Sequence, residues 1–373
     1  MQEGIERVQT PAGDPAWRIT QHSVVKDLLA DARLGLTHPN PAAASWYSKV
    51  DLAGRPMGRS GSEYEEHTWW RRAMNKVFSP QRLRDRAPGI QRVADDLLAN
   101  MSRQSPPADL REHFTVPLCS RIICELLDVP YEQIDRLRHW SEQGAYAADI
   151  KRSMEGIRAQ MTYVVRLVGD RSRNPGDDLI SELLALDIRK AKLYQGRVVK
   201  LISGMLGFGR ETPASTIDSA VVLLLTHPDQ RELLLREPAR LADAIEEILR
   251  LFRPPAASQG GLLRYAHTEI AVGDRCIRSG DMVILDIVAA NHDPTVFDEP
   301  DRFDITRRPN PHLGFGHGFY MCNFSALARV ELEIALTTLF DRFPRLSLAE
   351  APERLTVKTH LRTGGLAHLP VQW

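Results

Sequence analysis

Residues Leu313–Glu331 read LGFGHGFYMCNFSALARVE, and the interpretation of the whole chain starts from this stretch. Gly314, Gly316 and Gly318 have no side chains, so they permit a tight loop that approaches neighbouring backbone closely. The loop leads to Cys322, which is followed by an apolar pattern of helical period. We expect Cys322 in the first turn of that helix, where free N–H groups and the positive end of the helix dipole favour the metal-binding thiolate.

The same stretch resembles the haem-ligand loop of the cytochrome P-450 family. The matching pattern is Phe-Gly-x-Gly-x-x-x-Cys followed by Leu-Ala-Arg-x-Glu. In that family a cysteine thiolate holds the haem iron. The resemblance implies that Cys322 is the metal ligand and that Phe315, Gly316 and Tyr320 also contact the cofactor. On this segment alone a buried thiol without metal is the more common alternative, so the other motifs decide.

Charge and cysteine content narrow the class of protein. The chain has 373 residues, of which 43% are hydrophobic, so it can bury a large core. Its 48 basic and 48 acidic residues cancel, which argues against nucleic acid as a partner. Its four cysteines have neither zinc-site spacing nor the density of a disulfide scaffold, which indicates a reducing compartment, the cytoplasm. The sequence shows no signal peptide and no long apolar run, so we expect no membrane partner.

Periodicity predicts a mainly α protein with a minor β part, and no linker divides it, so we expect a single domain over residues 1–373. Pro80 and Pro88 predict helix breaks. After a loop-like start, helical patterns cover residues 23–32, 67–77, 88–101, 116–127, 131–147, 153–170, 179–186, 198–226, 228–237 and 238–251. Strand patterns cover residues 17–20, 269–272, 274–277 and 282–287, with strand-like alternation from residue 355. Residues 37–66 lose periodicity, and a functional lid and plain disorder are both open there.

Glu247 and Arg250 lie three residues apart, on one face of a predicted helix. Such pairs are common on solvated helix surfaces. The cytochrome P-450 family, however, has a Glu-x-x-Arg pair at this point, closed by an arginine from a later Pro-x-Arg-Phe turn. Arg302, in the turn Pro300-Asp-Arg-Phe303, matches that arginine. The resemblance therefore implies a buried triad of Glu247, Arg250 and Arg302 that fixes the cysteine loop.

One predicted helix contains Phe208-Gly-Arg-Glu-Thr-Pro213, which is similar to the family's Ala-Gly-x-Asp/Glu-Thr oxygen-binding segment. The Thr212 hydroxyl can bond the carbonyl of Phe208, and Pro213 has no N–H for the carbonyl of Gly209. We hypothesise that this opens a polar notch in which Thr212 and Glu211 are catalytic and pass protons toward bound dioxygen. Phe208 and Gly209 would then lie against the haem. A proline kink without a catalytic role is the alternative.

His67 and Arg71 lie four residues apart, on one face of another predicted helix. A haem has two propionates that need cationic or hydrogen-bonding partners when they are buried. The family uses His-x-x-x-Arg here and a further arginine on the strand after Glu-x-x-Arg, to which Arg264 corresponds. Arg72 and Lys76 add positive charge. They belong either to a solvated surface or to a face that meets an acidic electron donor such as a ferredoxin.

The four motifs stand in the family's order over nearly the full chain. The resemblance implies the family's triangular, mainly helical prism with small antiparallel sheets, haem b (iron protoporphyrin IX) and reductive activation of dioxygen. It also implies a ferredoxin-type electron donor with its reductase, and a small-molecule substrate such as an intermediate of secondary metabolism. The expected reaction is hydroxylation, or an atypical oxidative coupling or rearrangement.

Three residues depart from the family's pattern. Tyr320 stands where His or Arg is usual and would weaken one propionate contact, Phe324 replaces a usual Gly, and Phe208 replaces a small residue above the haem. Two hypotheses follow. One is a working monooxygenase with a reshaped pocket, and the other is a haem-poor relative that serves as a binding or auxiliary protein for a partner enzyme. Retention of the cysteine and of the Glu211–Thr212 pair favours the enzyme, because a scaffold needs neither.

Overall fold

The computed structural model describes residues 4–49, 54–61, 63–186, 191–252, 261–362 and 364–373, with the backbone alone for residues 191–194. Within these ranges, every helix is too short or too polar to cross a bilayer. The α-helices are α1 (His22–Ala30), α2 (Glu63–Val77), α3 (Pro80–Met101), α4 (Val116–Leu127), α5 (Ile134–Gly144), α6 (Ile150–Arg173), α7 (Leu179–Ala185), α8 (Ala191–Phe208), α9 (Glu211–Thr226), α10 (Pro228–Arg236), α11 (Leu241–Leu251), α12 (Ile287–Ala290) and α13 (Ser325–Arg342).

Helix α9 runs through the middle of the helical part. Its buried side chains include Ala214, Ile217, Val221 and Leu224, which recur every three or four residues. The helix packs against α4, α10, α11 and α13, so more than one of its faces is covered. Because α9 and α13 touch directly, the segment before α9 and the cysteine loop before α13 are held in fixed relation to each other.

The strands form a five-stranded sheet and two smaller ones. Their bounds are β1 (Ile5–Gln9), β2 (Pro15–Ile19), β3 (Leu34–Gly35), β4 (Ala108–Asp109), β5 (Leu262–Ala266), β6 (Ile270–Val272), β7 (Arg275–Ile277), β8 (Met282–Leu285), β9 (Ser347–Leu348) and β10 (Pro370–Gln372). The large sheet has the order β1-β2-β8-β5-β3, the second has the order β4-β10-β9, and β6 pairs with β7. In the large sheet Arg264 pairs with Val283 in antiparallel register, which brings this arginine to the side of the cysteine loop.

The predicted fold class, mainly α with small sheets, is confirmed, but several local predictions are wrong. The start of the chain is a strand, β1, which pairs with β2 from Ile5 opposite Ile19 to Gln9 opposite Pro15. Pro88 does not break a helix, because α3 continues through it from Pro80. The apolar face of α3 packs along α13, and this burial outweighs the backbone hydrogen bond lost at the proline.

The irregular segment over residues 37–66 is ordered where it is described, while residues 50–53 and 62 lie outside the described residues. It contains a 3₁₀ turn, Pro41–Ala43. The hydroxyl of Tyr265, on β5, donates to the carbonyl of Ser45 at 2.9 Å. The described part is therefore hydrogen-bonded to the large sheet, and the alternative of plain disorder does not apply to it.

The predicted helix over residues 198–226 is interrupted at Gly209 and Arg210. Helix α8 ends at Phe208, and α9 begins at Glu211 after Arg210 takes φ −111° and ψ −55°. Pro213 therefore falls in the first turn of α9, where its missing N–H costs no helical hydrogen bond. The interruption is a change of helix, not a proline kink within one.

A buried ion pair holds α11 to the coil that leads to the cysteine loop. Arg250 donates two hydrogen bonds of 2.8 Å to the Glu247 carboxylate, and both side chains are 0% exposed. Arg250 also donates to the carbonyls of Asn291 at 2.8 Å and Pro300 at 2.7 Å. Asn291 in turn accepts from the N–H of Leu313 at 2.7 Å. This chain of bonds sets the position at which the loop begins.

The arginine that completes this triad is Arg307, not Arg302 as predicted. The Arg307 Nε donates to both carboxylate oxygens of Glu247 at 3.2 Å. Arg302 is exposed and pairs with Glu299 at 2.9 Å, and its carbonyl accepts from Arg250 at 3.2 Å. The Pro-x-Arg-Phe turn therefore contributes its backbone, while its arginine side chain faces solvent.

The two arginines provide a matched test of this assignment. Arg307→Met should lower the free energy of unfolding by about 3–5 kcal/mol, because it leaves the buried Glu247 short of a partner. Arg302→Met should change it by less than about 0.5 kcal/mol, because an exposed ion pair contributes little. Urea unfolding followed by circular dichroism measures both. Equal losses in the two variants would contradict the assignment.

Candidate active site

Cys322 lies between a 3₁₀ turn, Gly318–Tyr320, and helix α13, which begins at Ser325 after Phe324. The Cys322 N–H donates to the carbonyl of Phe315 at 2.8 Å, and this bond closes the loop. The prediction that Cys322 lies in the first turn of the helix is therefore wrong by three residues. The sulfur precedes the helix, and the positive end of α13 lies just beyond it.

Two glycines in the loop are required by close packing. Gly318 has φ +66°, and a Cβ there would lie 2.6 Å from the Cα of Ala30 in α1. A Cβ on Gly314 would lie 2.6 Å from the carbonyl oxygen of Leu249 in α11. Larger residues at these positions would push the loop away from both helices. Gly314 and Gly318 are therefore the positions at which α11 and α1 pack directly against the loop.

The surroundings of Cys322 do not ionise the thiol by themselves. Burial raises the pKa of Cys322, and the backbone N–H of Phe324 and the charge of Arg329 only partly oppose that effect. The helix end was predicted to favour negative charge on this sulfur, whereas the net effect of the surrounding protein groups is to raise the pKa of the thiol. A coordinated metal ion would supply the missing stabilisation of the sulfur's negative charge.

Glu246 of α11 anchors the loop and α13 together. It accepts from Arg329 at 2.6 and 2.8 Å and pairs with His312 at 2.8 Å. Burial alone would raise the pKa of Glu246, but the hydrogen bonds from Arg329 and His312 lower it to about 2. The Arg329 guanidinium also lies over the Phe315 ring, 4.7 Å from its centroid. Sequence reasoning missed this cluster because its three members come from three different segments.

The predicted cations His67, Arg71 and Arg264 converge on the loop. Arg71 donates to the carbonyls of Gly318, Phe319 and Met321 at 3.3–3.4 Å. His67 lies against the Phe319 and Tyr320 rings at 4.9 and 4.7 Å. The buried guanidinium of Arg264 lies 4.9 Å from the centroid of the Tyr320 ring. Three segments far apart in sequence are thereby brought to one side of the cysteine loop.

Several of these groups have unused hydrogen-bonding capacity. His67 Nε2 and Trp70 Nε1 are buried and have no hydrogen-bond partner. Among the described residues, neither Arg71 nor Arg264 forms an ion pair with a carboxylate. Burial lowers the pKa of His67, which favours a neutral ring that can donate one hydrogen bond. Buried donors without a partner, and a buried cation such as Arg264 without a carboxylate partner, are costly unless an anion meets them, and the two propionates of a haem fit this set.

Tyr320 has a partner within the protein. Its hydroxyl donates to Glu63 Oε1 at 2.5 Å. Glu63 also accepts from the backbone N–H groups of Leu36 at 2.7 Å and Thr37 at 3.1 Å. The pKa of Tyr320 is raised by burial and by the adjacent Glu63 carboxylate. The hydroxyl is thus directed toward α2, and the aromatic ring is the part of Tyr320 that faces Arg264 and His67.

Phe324 turns into the protein interior. Its ring makes an edge contact with Phe78 at 5.6 Å. It therefore fills space between the end of α2 and the start of α13. The sequence left open whether this ring approaches the porphyrin or displaces the helix, and the structure shows it used in core packing.

Around the helix interruption, neighbouring residues face in different directions. Phe208 is 59% exposed and Thr212, four residues later, is also exposed, whereas Glu211 is buried. Glu211 Oε1 accepts a hydrogen bond from Arg111 Nη2. The predicted bond from the Thr212 hydroxyl to the Phe208 carbonyl is absent from the described hydrogen bonds, and the Thr212 carbonyl accepts from Thr216 at 2.9 Å. Among the described hydrogen bonds, none joins the Glu211 carboxylate to the Thr212 hydroxyl.

Arg111 and Asp218 are site residues that sequence reasoning missed. Both are buried, and Arg111 bonds Asp218 through Nη1. A signal existed for Asp218, because a carboxylate interrupts the apolar face of α9 next to Ile217. Its partner could not be found in the same way, since 107 residues separate the two.

This fold, with a cysteine loop flanked by His67, Arg71 and Arg264, is typical of a haem-thiolate oxidoreductase. A family model for cytochrome P450 matches residues 146–360. The chain belongs to the cytochrome P450 family, and the family's cofactor is a haem held by a cysteine thiolate.

Relatives match over almost the whole chain. Pentalenolactone synthase of Streptomyces exfoliatus is 37% identical over 370 residues, which cover 98% of this chain and 92% of that protein. Mycinamicin IV hydroxylase/epoxidase of Micromonospora griseorubida is 32% identical and covers 100% of this chain and 93% of its own length. The crystal structure of the pimaricin epoxidase PimD superposes with a TM-score of 0.85 at 36% identity and covers 99% and 93% of the two chains. The chain is accordingly an oxidoreductase of the monooxygenase class.

The Glu246 cluster predicts a pH-dependent stability. Glu246→Gln should lower the free energy of unfolding at pH 7 by about 1–2 kcal/mol, a figure reduced because the carboxylate is partly exposed. The folded pKa lies below the ordinary 4.5, so this contribution is complete above pH 4.5 and is lost as the pH falls toward about 2. Urea unfolding of both proteins at pH 7 and pH 4 measures the difference.

The control is Glu237→Gln, which breaks an exposed pair with Arg240 and should cost less than about 0.5 kcal/mol. Equal stability of wild type and Glu246→Gln at pH 7, or a difference that grows on acidification, would contradict the assignment.

Proposed function

We propose that this chain is a haem b monooxygenase that oxidises a small organic molecule with dioxygen and with electrons from a ferredoxin-type donor and its reductase. The observation that carries the proposal is that three groups around the Cys322 loop lack an anionic partner among the described residues: the His67 ring, whose buried Nε2 has no hydrogen-bond partner, and the guanidinium groups of Arg71 and Arg264. The relatives that make or modify pentalenolactone, mycinamicin and pimaricin support an intermediate of secondary metabolism as substrate. We also propose that residues 1–373 act as one haem-thiolate domain.

The cysteine loop and α2 would hold the cofactor. Cys322 is assigned as the iron ligand, with Phe315, Gly316 and Tyr320 beside it. His67 Nε2, with the guanidinium groups of Arg71 and Arg264, would bind the propionates. When bound, the haem supplies reductive activation of dioxygen.

The segment around the helix interruption would form the other wall of the site. Phe208 and Gly209 are assigned to the space above the cofactor, where the exposed Phe208 ring would restrict how a substrate approaches. Thr212 presents a hydroxyl on the same side and would orient a proton toward the reacting oxygen. Glu211 would resupply that proton after turning from Arg111 toward Thr212.

The electron donor would meet the outer surface of α2. Arg72 and Lys76 are exposed on this helix, whose other side includes His67 and Arg71. An acidic ferredoxin docked there would be attracted by these charges and would lie near the propionate-binding residues. A surface of this kind raises the association rate more than the affinity.

The first test is spectroscopic. The purified protein, reduced under carbon monoxide, should show the red-shifted Soret band of thiolate-ligated haem. Cys322→Ser should abolish this band, and the matched control Cys276→Ser, at an exposed cysteine, should retain it. A wild-type protein without the band would favour the haem-poor auxiliary protein and overturn the proposal.

The second test concerns the proton. With a substrate identified by its spectral shift, Thr212→Ala should raise peroxide release and reduce product per electron pair by about tenfold or more. Thr226→Ala at the far end of α9, where the hydroxyl bonds the carbonyl of Val222 at 2.8 Å, is the matched control. Unchanged coupling in Thr212→Ala would remove Thr212 from the proton path.

A further inference from the structure

One buried cation is shared by two buried carboxylates beside the helix interruption. Arg111, in the π-helical turn Arg111–Thr115, donates through Nη2 to Glu211 and through Nη1 to Asp218. The Arg111 side chain is 3% exposed, and those of Glu211 and Asp218 are 9% and 1% exposed. Glu211 and Asp218 lie seven residues apart on α9, hence on one face two turns apart. Arg111 bridges them from the element in front of α4.

The cluster is enclosed on its remaining sides. The Thr115 hydroxyl donates to Asp218 Oδ1 at 2.7 Å. A Cβ on Gly365 would lie 2.7 Å from Glu211 Oε1 and 3.0 Å from Arg111 Nη2. A turn near the end of the chain therefore covers the Glu211–Arg111 pair. Because water has little access, the charges within the cluster respond strongly to one another.

The other ionisable groups near the cluster are neutral, bound elsewhere or of constant charge. Arg210, directly before Glu211, is also buried; burial lowers its pKa and the Glu211 carboxylate opposes that effect, but an arginine stays protonated over the pH range considered. Burial raises the pKa of the Cys119 thiol. Burial also raises the pKa of the Glu331 carboxyl to about 8. Asp109 accepts the backbone N–H groups of Arg111 and Leu369 at 2.9 Å. At neutral pH the variable charge is thus that of Asp218. Burial raises its pKa to about 6, although Arg111 and Thr115 act to lower it.

We propose that Arg111 is a positioning residue that holds Glu211 turned away from Thr212, and that Asp218 controls this hold by competing for the same guanidinium. The inference rests on the proton role of Glu211 proposed above and adds what regulates it. Neither Arg111 nor Asp218 touches the substrate or the cofactor in this assignment. They act through Glu211 alone.

The direction of the pH effect follows from the competition. Above about pH 6 Asp218 is ionised and attracts Arg111, which weakens the hold on Glu211 and allows it to turn toward Thr212. Below about pH 6 Asp218 is protonated, Arg111 binds Glu211 alone, and the proton path closes. Delivery of protons should therefore decline as the pH falls through this value.

The test uses the holoenzyme and two near-isosteric variants. Infrared titration between pH 5 and 8 should show, apart from the Glu331 carboxyl that titrates near 8, a protonated carboxyl band with a midpoint near 6 in the wild type, and Asp218→Asn should lack the band with that midpoint. Thr115→Val removes a hydrogen bond to ionised Asp218 and should raise the midpoint by about 0.5–1 pH unit. Asp135→Asn, at an aspartate whose side chain is 82% exposed, should leave the band unchanged.

The second readout is product formed per electron pair. In the wild type it should fall below about pH 6, in Thr115→Val the fall should begin at the higher midpoint, and in Asp218→Asn it should be low and independent of pH. A wild-type pH profile in Asp218→Asn would overturn the proposal. So would a Thr115→Val midpoint that does not move.

The carbon monoxide band separates this inference from the function on which it rests. Each variant should keep the wild-type band, which shows that haem binding and folding are intact. A wild type without the band would refute the proposed function, while the infrared midpoints would still decide whether Asp218 and Arg111 form the proposed switch. If Asp218→Asn does not fold, the infrared and product-yield midpoints of Thr115→Val decide whether the proposal holds.

Discussion

The fully buried pair of Glu247 and Arg250 is the interaction on which the candidate site depends. Removing two charges from water is expensive, and the cost is offset only when every donor and acceptor is satisfied. Here the satisfying groups are carbonyls of the coil after α12, together with Arg307. The coil cannot move without leaving a buried charge unpaired, so the start of the cysteine loop at Leu313 is fixed. The pair specifies a position more than it contributes net stability.

The same requirement separates the charges that maintain the structure from those available to a ligand. Glu246 is neutralised by Arg329 and His312, and Glu63 is solvated by Tyr320 and by backbone N–H groups of the loop after β3. Around Cys322 the carboxylates therefore have partners in the protein. Among the described residues, Arg71 and Arg264 have no carboxylate partner and donate only to backbone carbonyls, and this imbalance favours an anionic cofactor on one side of the loop.

Much of this arrangement could be predicted from the sequence, and the failures have a common cause. Helical period located most helices, and the pattern around Cys322 indicated the family. Arg302 and Arg307 both lie in coil, where no period tells which side chain turns inward, so the resemblance selected the wrong one. Arg111 and Asp218 are distant in sequence and meet only through the packing of α4 on α9. Local sequence patterns predict helices and strands, whereas the side chains that pair between two such elements are determined by tertiary packing.

The helix interruption changes how the adjacent Glu211 and Thr212 can cooperate. Successive residues of a helix point about 100° apart, so the carboxylate that meets Arg111 cannot also meet a hydroxyl directed to the opposite side. One of the two side chains must therefore turn. Helix α9 begins at Glu211, whereas the N–H of Gly209 still bonds the carbonyl of Met205 as part of the preceding helix. A break placed immediately before the acid allows the Glu211 side chain to rotate while the buried residues of α9 stay packed. In the proposed proton transfer, the interruption would thus be a condition for Glu211 and Thr212 to act in sequence.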